Sequence, residues 1–299
     1  MSTRALNPSG STSEEVVENS IQADGLNIRF WRSGSGPALV LVHGLLGYSF
    51  SWREVIPILA SDSEVYAPDM AGAGFSECRA DLDCRLIGAA RRLLAFMDAA
   101  EIRSCDLVGS SYGGATVLML AGLAPSRVRS LVLVSPANPW SKIGWKRVAL
   151  LRNRKIASLF PKLARAAHPF HRYFVRRMWG NPGLVSKETL DGYIRPLVRR
   201  GVFEHAVKIV HTWRSDMREL ESVLPKIEGI PTLLVWGSKD RVVDARSAQL
   251  MAAQLPGSRI VVIEGAGHLP YEERPEEFSR IVREFLRHLR STHTVGPAR

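Results

Sequence analysis

The heptapeptide VGSSYGG, residues 108–114, carries the clearest structural signal in the chain because it follows an apolar strand and opens a helix. It fits the pattern G-x-S-x-G, in which a tight strand-to-helix turn holds a serine in a strained, exposed position. Small residues are needed two positions before and after that serine, since their backbones nearly touch. Gly109 and Gly113 meet this need around Ser111, whereas Ser110 would be flanked by valine and tyrosine. The motif therefore predicts Ser111 as a nucleophile.

Short β-branched runs alternate with longer helical stretches on both sides of this motif, which implies an α/β fold with a mostly parallel sheet flanked by helices. The first two strands are interpreted as a pair joined by the turn-like residues 33–37. Strands are predicted at 26–32, 38–43, 64–68, 104–108, 128–134, 232–236 and 259–263, and helices at 82–100, 112–123, 245–255 and 275–289.

The segment between Ser135 and Thr232 carries no strand signal over about 90 residues. This is too long for a connecting loop in a compact α/β sheet. We therefore expect an inserted helical cap at residues 138–229. The α/β core would comprise residues 23–137 and 230–290, with a flexible N-terminal arm at 1–22 and a flexible tail at 291–299.

Two glycine-containing loops follow other predicted strands. HGLLG, residues 43–47, is interpreted either as an oxyanion loop, with the amides of Leu45 and Tyr112 as donors, or as an ordinary strand-to-loop turn. DMAGAGFS, residues 69–76, is predicted to shape the site without reacting.

Candidate partners for Ser111 stand at two later strand ends. Asp240, in GSKD, is predicted either to orient a histidine or to cap the next helix, and Asp244 is better placed for capping. His268, in GAGH, follows small residues that let its ring reach a neighbouring strand end. The chain order Ser111, Asp240, His268 is the order expected of the α/β-hydrolase fold, and such strand ends converge on one crevice.

These motifs resemble the α/β-hydrolase superfamily over residues 26–289, outside the cap. HGLLG, DMAGAGFS, GSSYGG, GSKD and GAGHLPYEERPEEF all stand where that family has them. The resemblance implies the α/β-hydrolase fold, with Ser111 as nucleophile, His268 as base and Asp240 as the group that orients it. It also implies an oxyanion hole formed by the amides of Leu45 and Tyr112.

Departures from subfamily patterns narrow the chemistry. DMAGAGFS and WREVIP, residues 52–57, resemble epoxide hydrolases and haloalkane dehalogenases, but those enzymes use an aspartate where this chain has Ser111. Carbon–carbon bond hydrolases of aromatic-ring catabolism use serine, yet they commonly carry tryptophan where this chain has Leu269. Esterases, lipases and cofactor-free haloperoxidase-like enzymes are compatible with all the motifs.

The resemblance implies ester or acyl cleavage through an acyl-enzyme on Ser111, with no metal or organic cofactor. Two alternatives stay open. One is carbon–carbon bond hydrolysis of a ring-fission diketone acid, and the other is a ligand-binding protein built on a hydrolase fold. The expected substrate pocket beneath the cap involves one loop residue and four tryptophans: Leu46, Trp140, Trp145, Trp179 and Trp213. Tryptophans of this kind also serve simply to pack a cap against the domain below.

Composition excludes several other classes of protein. Hydrophobic residues make up 45% and charged residues 23%, as in ordinary globular chains. No apolar run approaches the roughly 18 residues that span a bilayer. The three cysteines have no metal-site spacing and do not form a disulfide scaffold. The first twenty residues lack an apolar signal-peptide core, so we expect a cytoplasmic protein.

The net charge of +11 resides in the predicted cap. Residues 138–229 contain 19 Lys and Arg against 7 Asp and Glu, a balance of +12, whereas the remainder has 21 against 22, a balance of −1. Residues 145–160 resemble a basic amphipathic helix. They are interpreted either as a core-packed helix with a solvated basic face or as a docking site for acidic lipid at a membrane surface, an acidic carrier protein or an anionic substrate. Nucleic-acid binding is not expected, because no recognised motif accompanies the charge.

Overall fold

The computed structural model describes residues 15–141, 151, 153–227 and 229–294. In these ranges, eight strands form a single sheet with the order β1-β2-β4-β3-β5-β6-β7-β8. The strands are β1 Val17–Ala23, β2 Leu26–Ser33, β3 Ala38–Val42, β4 Glu64–Pro68, β5 Cys105–Ser110, β6 Val128–Val134, β7 Thr232–Gly237 and β8 Arg259–Ile263.

The helices of the described ranges alternate with these strands or follow β6. They are α1 Ile56–Leu59, α2 Leu86–Ala99, α3 Tyr112–Leu123, α4 Arg154–Ala166, α5 His168–Met178, α6 Lys187–Ile194, α7 Val202–Val223, α8 Ser247–Gln254, α9 Pro270–Glu273 and α10 Pro275–Thr294. None of them combines the length and apolar character needed to cross a bilayer.

The sheet from β4 to β8 is parallel, while β1 and β2 pair antiparallel with each other and β2 pairs antiparallel with β4. Successive side chains of a strand point to opposite faces. On β3, Leu39 and Leu41 therefore pack in the apolar cluster that includes α1 and α10, whereas Val40 and Val42 pack in the cluster that includes α2 and α3. Burial on both faces explains why the parallel strands are nearly continuous apolar runs.

Two predictions about the N-terminal part of the sheet are wrong. The strands at 26–33 and 38–42 do not pair with each other, because β4 lies between them. The flexible arm does not extend to residue 22, because residues 17–23 form β1 at the sheet edge. Asp24 and Gly25 both have positive φ, of 53° and 68°, and make the tight β1–β2 turn.

The boundaries of several helices also differ from their predictions. Helix α2, Leu86–Ala99, is shorter than the helix predicted at residues 82–100. The last helix runs to Thr294, so the predicted tail from 291 begins too early. Its extension follows from an arginine-rich face, since Arg290 bonds Asp62 O and the Asp106 carboxylate.

The segment between β6 and β7 is helical wherever the structure describes it, and α7 connects it to the core. Trp213, Met217 and Leu220 of α7 join the cluster around α2 and α3. The beginning of α7 packs instead in a small separate cluster, where Phe203 meets Phe160 of α4 edge to face. The long helix α7 therefore lies over the same side of the sheet as α2 and α3.

Candidate active site

Ser111 occupies the strained turn between β5 and α3. Its φ of 52° and ψ of −119° lie outside the regions that ordinary residues populate. A Cβ at Gly109 would lie 2.6 Å from the carbonyl oxygen of Gly113, and a Cβ at Gly113 would lie 2.3 Å from that of Val42. Both contacts involve backbone atoms, so glycine is required at each position. Ser110, by contrast, is fully buried, and its hydroxyl accepts a hydrogen bond from the Tyr271 hydroxyl at 3.2 Å.

Asp240 and His268 form a buried pair, with 2.9 Å between Oδ2 and the ring nitrogen Nδ1. Their side chains are 0% and 3% exposed, respectively. The other oxygen, Oδ1, accepts the amides of Val242 and Val243 at 2.7 and 3.0 Å. Burial alone would raise the pKa of Asp240, but the attraction of His268 and these hydrogen bonds hold that pKa below its usual value. Asp240 can therefore accept a hydrogen bond from a protonated Nδ1 and orient the imidazole ring.

Backbone hydrogen bonds join the end of each strand to the end of its neighbour, and this brings the loops that follow the strands to one edge of the sheet. The Ser111 amide donates to Val134 O, the Ser135 amide to Val235 O, and the Ser238 amide to Ile263 O, at 2.9, 2.9 and 3.0 Å. These bonds link the ends of β5, β6, β7 and β8. The structure thus places Ser111, Asp240 and His268 at the carboxyl edge of four adjacent parallel strands, where α/β proteins bind ligands.

The loop that carries His268 is held by contacts that the sequence analysis did not identify. Glu273 accepts the Gly267 amide at 2.6 Å and the Gly180 amide at 2.9 Å. The His268 amide donates to Met178 O at 2.7 Å. A Cβ at Gly267 would lie 2.4 Å from the Gly180 nitrogen. The end of α5 therefore fixes the histidine loop, and the only signal for Glu273 in the sequence was its place in the family-like segment YEERPEEF.

The glycine loop after β3 lies against Ser111. A Cβ at Gly44 would lie 3.1 Å from Ser111 Cβ and 3.8 Å from Ser111 Oγ. Tyr112 is the first residue of α3, so its amide has no partner within the helix. The next residue in the loop, Leu45, lines a cavity together with Tyr112. The two residues predicted to donate to an oxyanion thus belong to segments that meet at Ser111.

Two buried residues hold this loop in place. His43 Nε2 accepts the Met70 amide at 2.9 Å, while Nδ1 lies 2.8 Å from Gly44 O. This pattern needs a neutral ring protonated at Nδ1, and burial lowers the pKa of His43 accordingly. Asp69 accepts the amides of Ser49 and Phe75 at 2.8 and 2.7 Å, which shapes the loop at 69–76.

The cavity that Leu45 and Tyr112 line is also lined by one of the predicted pocket residues. Leu46 lines it, together with Gly44, Leu45, Arg92, Tyr112 and His205. The described tryptophans of the prediction do not line it. Trp140 and Trp213 pack with the cluster around α2 and α3, and Trp179 packs in the cluster on the opposite face. Trp145 and most of the predicted amphipathic segment before residue 153 lie outside the described residues.

Asp244 makes a local turn and does not cap a helix as predicted. Its Oδ1 accepts the amide of Arg246 at 3.0 Å, two residues along the chain, and the helix begins only at Ser247. The carboxylate of Asp240, in contrast, bonds both the turn that follows it and His268.

Comparisons with known proteins agree with this architecture. A family model for the alpha/beta hydrolase fold matches residues 37–275. Pyrrolizixenacetamide deacetylase of Xenorhabdus hominickii is 29% identical over 283 residues, which cover 90% of this chain and 97% of the relative. The uncharacterized hydrolase YugF of Bacillus subtilis is 26% identical over 280 residues, which cover 88% of this chain and 96% of the relative.

One solved structure, described as a membrane phospholipase A and a novel bacterial virulence factor, aligns with a TM-score of 0.76 at 29% identity. The alignment covers 92% of this chain and 87% of that one. Together with the family match over well more than half of the sequence, these likenesses show that the chain belongs to the α/β-hydrolase fold family.

Proposed function

We propose that this protein is a serine hydrolase that cleaves an ester through an acyl-enzyme on Ser111. The observation that carries the proposal is the pairing of a strained serine turn, with φ of 52°, and a buried Asp240–His268 hydrogen bond of 2.9 Å at the same sheet edge. A serine hydroxyl needs a base to become nucleophilic, and that base needs a partner to hold its tautomer.

In the proposed reaction, His268 Nε2 takes the proton from Ser111 Oγ as the oxygen attacks the ester carbonyl. Asp240 holds the Nδ1 proton and stabilises the imidazolium. The amides of Leu45 and Tyr112 receive the oxyanion, a contact that is worth about 3 kcal/mol per donor in related chemistry. The alcohol then leaves with the proton from His268, and water deacylates Ser111 by the same route in reverse.

The choice of an ester over other substrates of this fold rests on Ser111 itself and on the relatives. Residue 111 is a serine, whereas epoxide hydrolases use an aspartate nucleophile at this position, so their chemistry is not expected here. Two relatives at 29% identity are described as a deacetylase and a phospholipase A, both of which suggest acyl-group cleavage.

The test is labelling with a fluorophosphonate, together with hydrolysis of 4-nitrophenyl esters of increasing acyl length. We expect stoichiometric labelling and turnover in the wild type, and loss of about 10⁶-fold in kcat for Ser111→Ala. Ser110→Ala is the matched control, because Ser110 is adjacent but buried against Tyr271. Equal labelling of wild type and Ser111→Ala would refute the assignment of the nucleophile. Folded wild-type protein that is neither labelled nor active would favour a binding role.

A further inference from the structure

Arg92 of α2 is a buried cation that forms no ion pair or hydrogen bond with the side chains that the structure describes. The residue is 7% exposed, and its Nε atom has no hydrogen-bond partner. Within the described residues no carboxylate lies in ion-pair contact with it, and burial lowers the pKa of its guanidinium. An unpaired buried charge costs several kcal/mol, so such residues are ordinarily matched by an anion. Because the described part of the chain supplies no such anion, we look for it in a ligand.

The guanidinium faces the cavity beside the active site. The cavity is also lined by Tyr112 and His205, and no acidic side chain is among its described lining residues. The hydroxyl of Tyr112 is buried and likewise has no hydrogen-bond partner among the residues described. Arg92 and Tyr112 both line this space, and neither side chain donates a hydrogen bond to a described residue. His205, which is 8% exposed and lies 3.3 Å from the sulfur of Cys84, has its pKa lowered to about 4 by burial.

The lining of this cavity includes a residue that lies against the reacting serine. Gly44 lines it, and a Cβ at Gly44 would lie 3.8 Å from Ser111 Oγ. Leu45, whose amide is proposed to bind the oxyanion, lines it as well. The lining thus extends from a neighbour of Ser111 to Arg92, and we place a group bonded to the ester carbonyl along it.

We infer that Arg92 and the Tyr112 hydroxyl bind a carboxylate of the substrate, so that the enzyme prefers esters that carry a free carboxylate. The inference rests on the proposed esterase function. A carboxylate has two coplanar acceptor oxygens, which match the donors of a guanidinium fork and one hydroxyl. Its binding would supply the negative charge that the described residues do not bring into contact with Arg92.

The kinetic test compares ester pairs that differ only in the charged group. One pair places the carboxylate on the acyl side, with mono-4-nitrophenyl glutarate against 4-nitrophenyl pentanoate. The other places it on the alcohol side, with 4-acetoxybenzoate against 4-methylphenyl acetate. We expect kcat/KM at least tenfold higher for the charged member of one pair. Arg92→Met should abolish that preference, whereas Arg91→Met, at an exposed neighbouring position, should retain it.

A binding test is independent of turnover. The carboxylate product of the preferred pair, glutarate or 4-hydroxybenzoate, should raise the melting temperature of Ser111→Ala but not that of the Ser111→Ala, Arg92→Met double variant. Arg92→Met alone should be at least as stable as the wild type, since it removes an uncompensated buried charge. A marked loss of stability would assign Arg92 a purely structural role and overturn the inference.

The two proposals fail in different ways. Ser111-dependent hydrolysis of neutral esters, with neither a preference for charged esters nor Arg92-dependent binding, would overturn the carboxylate site alone. Arg92-dependent stabilisation by glutarate in a protein without ester turnover would overturn the esterase function and keep the carboxylate site.

A second surface carries an independent inference. Helices α4 and α5 expose six large apolar side chains, which are 40 to 61% exposed: Ile156, Leu159, Leu163, Phe170, Tyr173 and Phe174. Within each helix they recur at spacings of three or four residues and so share a face. Soluble surfaces rarely gather this many exposed large apolar groups without a partner.

The charge of the same region is entirely positive. Residues 107–187 contain no Asp or Glu, while residues 142–187 contain 12 Lys and Arg. Four exposed cations of α4 and α5 make no ion pair with a described residue: Lys155, Lys162, Arg176 and Arg177. We propose that this apolar and basic surface docks on an anionic lipid bilayer, with its aromatic side chains at the headgroup level and its cations on the lipid phosphates.

Vesicle co-sedimentation tests the docking. We expect the full chain to bind phosphatidylcholine vesicles that contain 30% phosphatidylglycerol, and binding to fall at least tenfold on pure phosphatidylcholine or in 0.5 M NaCl. Leu163→Ser with Phe170→Ser should weaken binding similarly, whereas Leu250→Ser, at an apolar position that is 49% exposed on α8, should not. Equal binding by the double variant and the wild type, or no binding to the anionic vesicles, would overturn the proposal.

Discussion

Replacing Asp240 by asparagine tests how the buried pair works, because the surroundings dictate how the new amide must sit. Oδ1 of Asp240 accepts two backbone amides, at 2.7 and 3.0 Å, while Oδ2 faces Nδ1 of His268. An asparagine oxygen must take the place of Oδ1, because an NH2 group there would face two N–H donors. Its NH2 group then faces the histidine and needs an acceptor at Nδ1.

The proton of His268 consequently moves from Nδ1 to Nε2. A protonated Nε2 cannot accept the proton of Ser111. A wrong tautomer of this kind costs about 10⁴-fold in kcat, equivalent to about 5.4 kcal/mol of transition-state stabilisation. The folded state should survive, since the two amides keep their acceptor. We therefore expect Asp240→Asn to lose catalysis while its circular dichroism and melting transition stay close to those of the wild type.

The assay is the initial rate of 4-nitrophenyl butyrate hydrolysis at neutral pH, with kcat obtained from saturation curves. Asp244→Asn is the matched control, because Asp244 belongs to the same loop but bonds Arg246. The control should retain kcat within threefold. A fall of less than tenfold in Asp240→Asn would refute the tautomer argument. An equal fall in both variants would mean that the loop as a whole, and not the carboxylate at 240, sets the rate.

Three further predictions concern the framework of the site. Gly113→Ala places a Cβ 2.3 Å from a carbonyl oxygen of β3 and should cost at least about 3 kcal/mol of unfolding free energy in urea titrations, unlike the exposed Gly183→Ala. His205 has a pKa of about 4 in the folded state and about 6.5 in the unfolded state, so the unfolded state binds more protons between these two pH values. The free energy of unfolding should therefore fall as pH drops from 6.5 toward 4, by up to about 1.4 kcal/mol per pH unit. His205→Gln should flatten that slope. Glu273→Gln puts an NH2 group against one of two amide donors and should lower kcat by ten- to hundredfold with little change in KM, whereas the exposed Glu276→Gln should keep wild-type kinetics; an unchanged Glu273→Gln would contradict its positioning role.

Part of the fold and of the site is written in local sequence patterns. The serine turn is predictable because the crossing of two backbones at Gly109 and Gly113 permits no Cβ. The parallel strands are predictable because burial on both faces makes them continuous apolar runs. Asp240 and His268 were found from their position just after such strands, and the structure joins them at 2.9 Å.

Other features depend on contacts that local patterns do not encode. The pairing of β2 with β4, and not with β3, is set by the whole sheet and not by the four residues between β2 and β3. Strand β1 escaped prediction because an edge strand is polar on its outer side and lacks a long apolar run. The anchoring of the histidine loop by Glu273 joins that loop to the end of α5, across more than 90 residues.

Arg92 illustrates the difference between what local sequence patterns determine and what tertiary contacts determine. The sequence alone determined the fold family, the serine turn, the order of the three polar residues and the location of the excess charge, because each follows from residue type and short-range spacing. In that sequence Arg92 stands beside Arg91 as an ordinary polar position on a helix. Only the tertiary structure buries Arg92 and leaves Arg91 exposed, because α7, more than 100 residues away in the chain, packs over α2. Together they place Arg92 at a cavity whose described lining residues include no carboxylate.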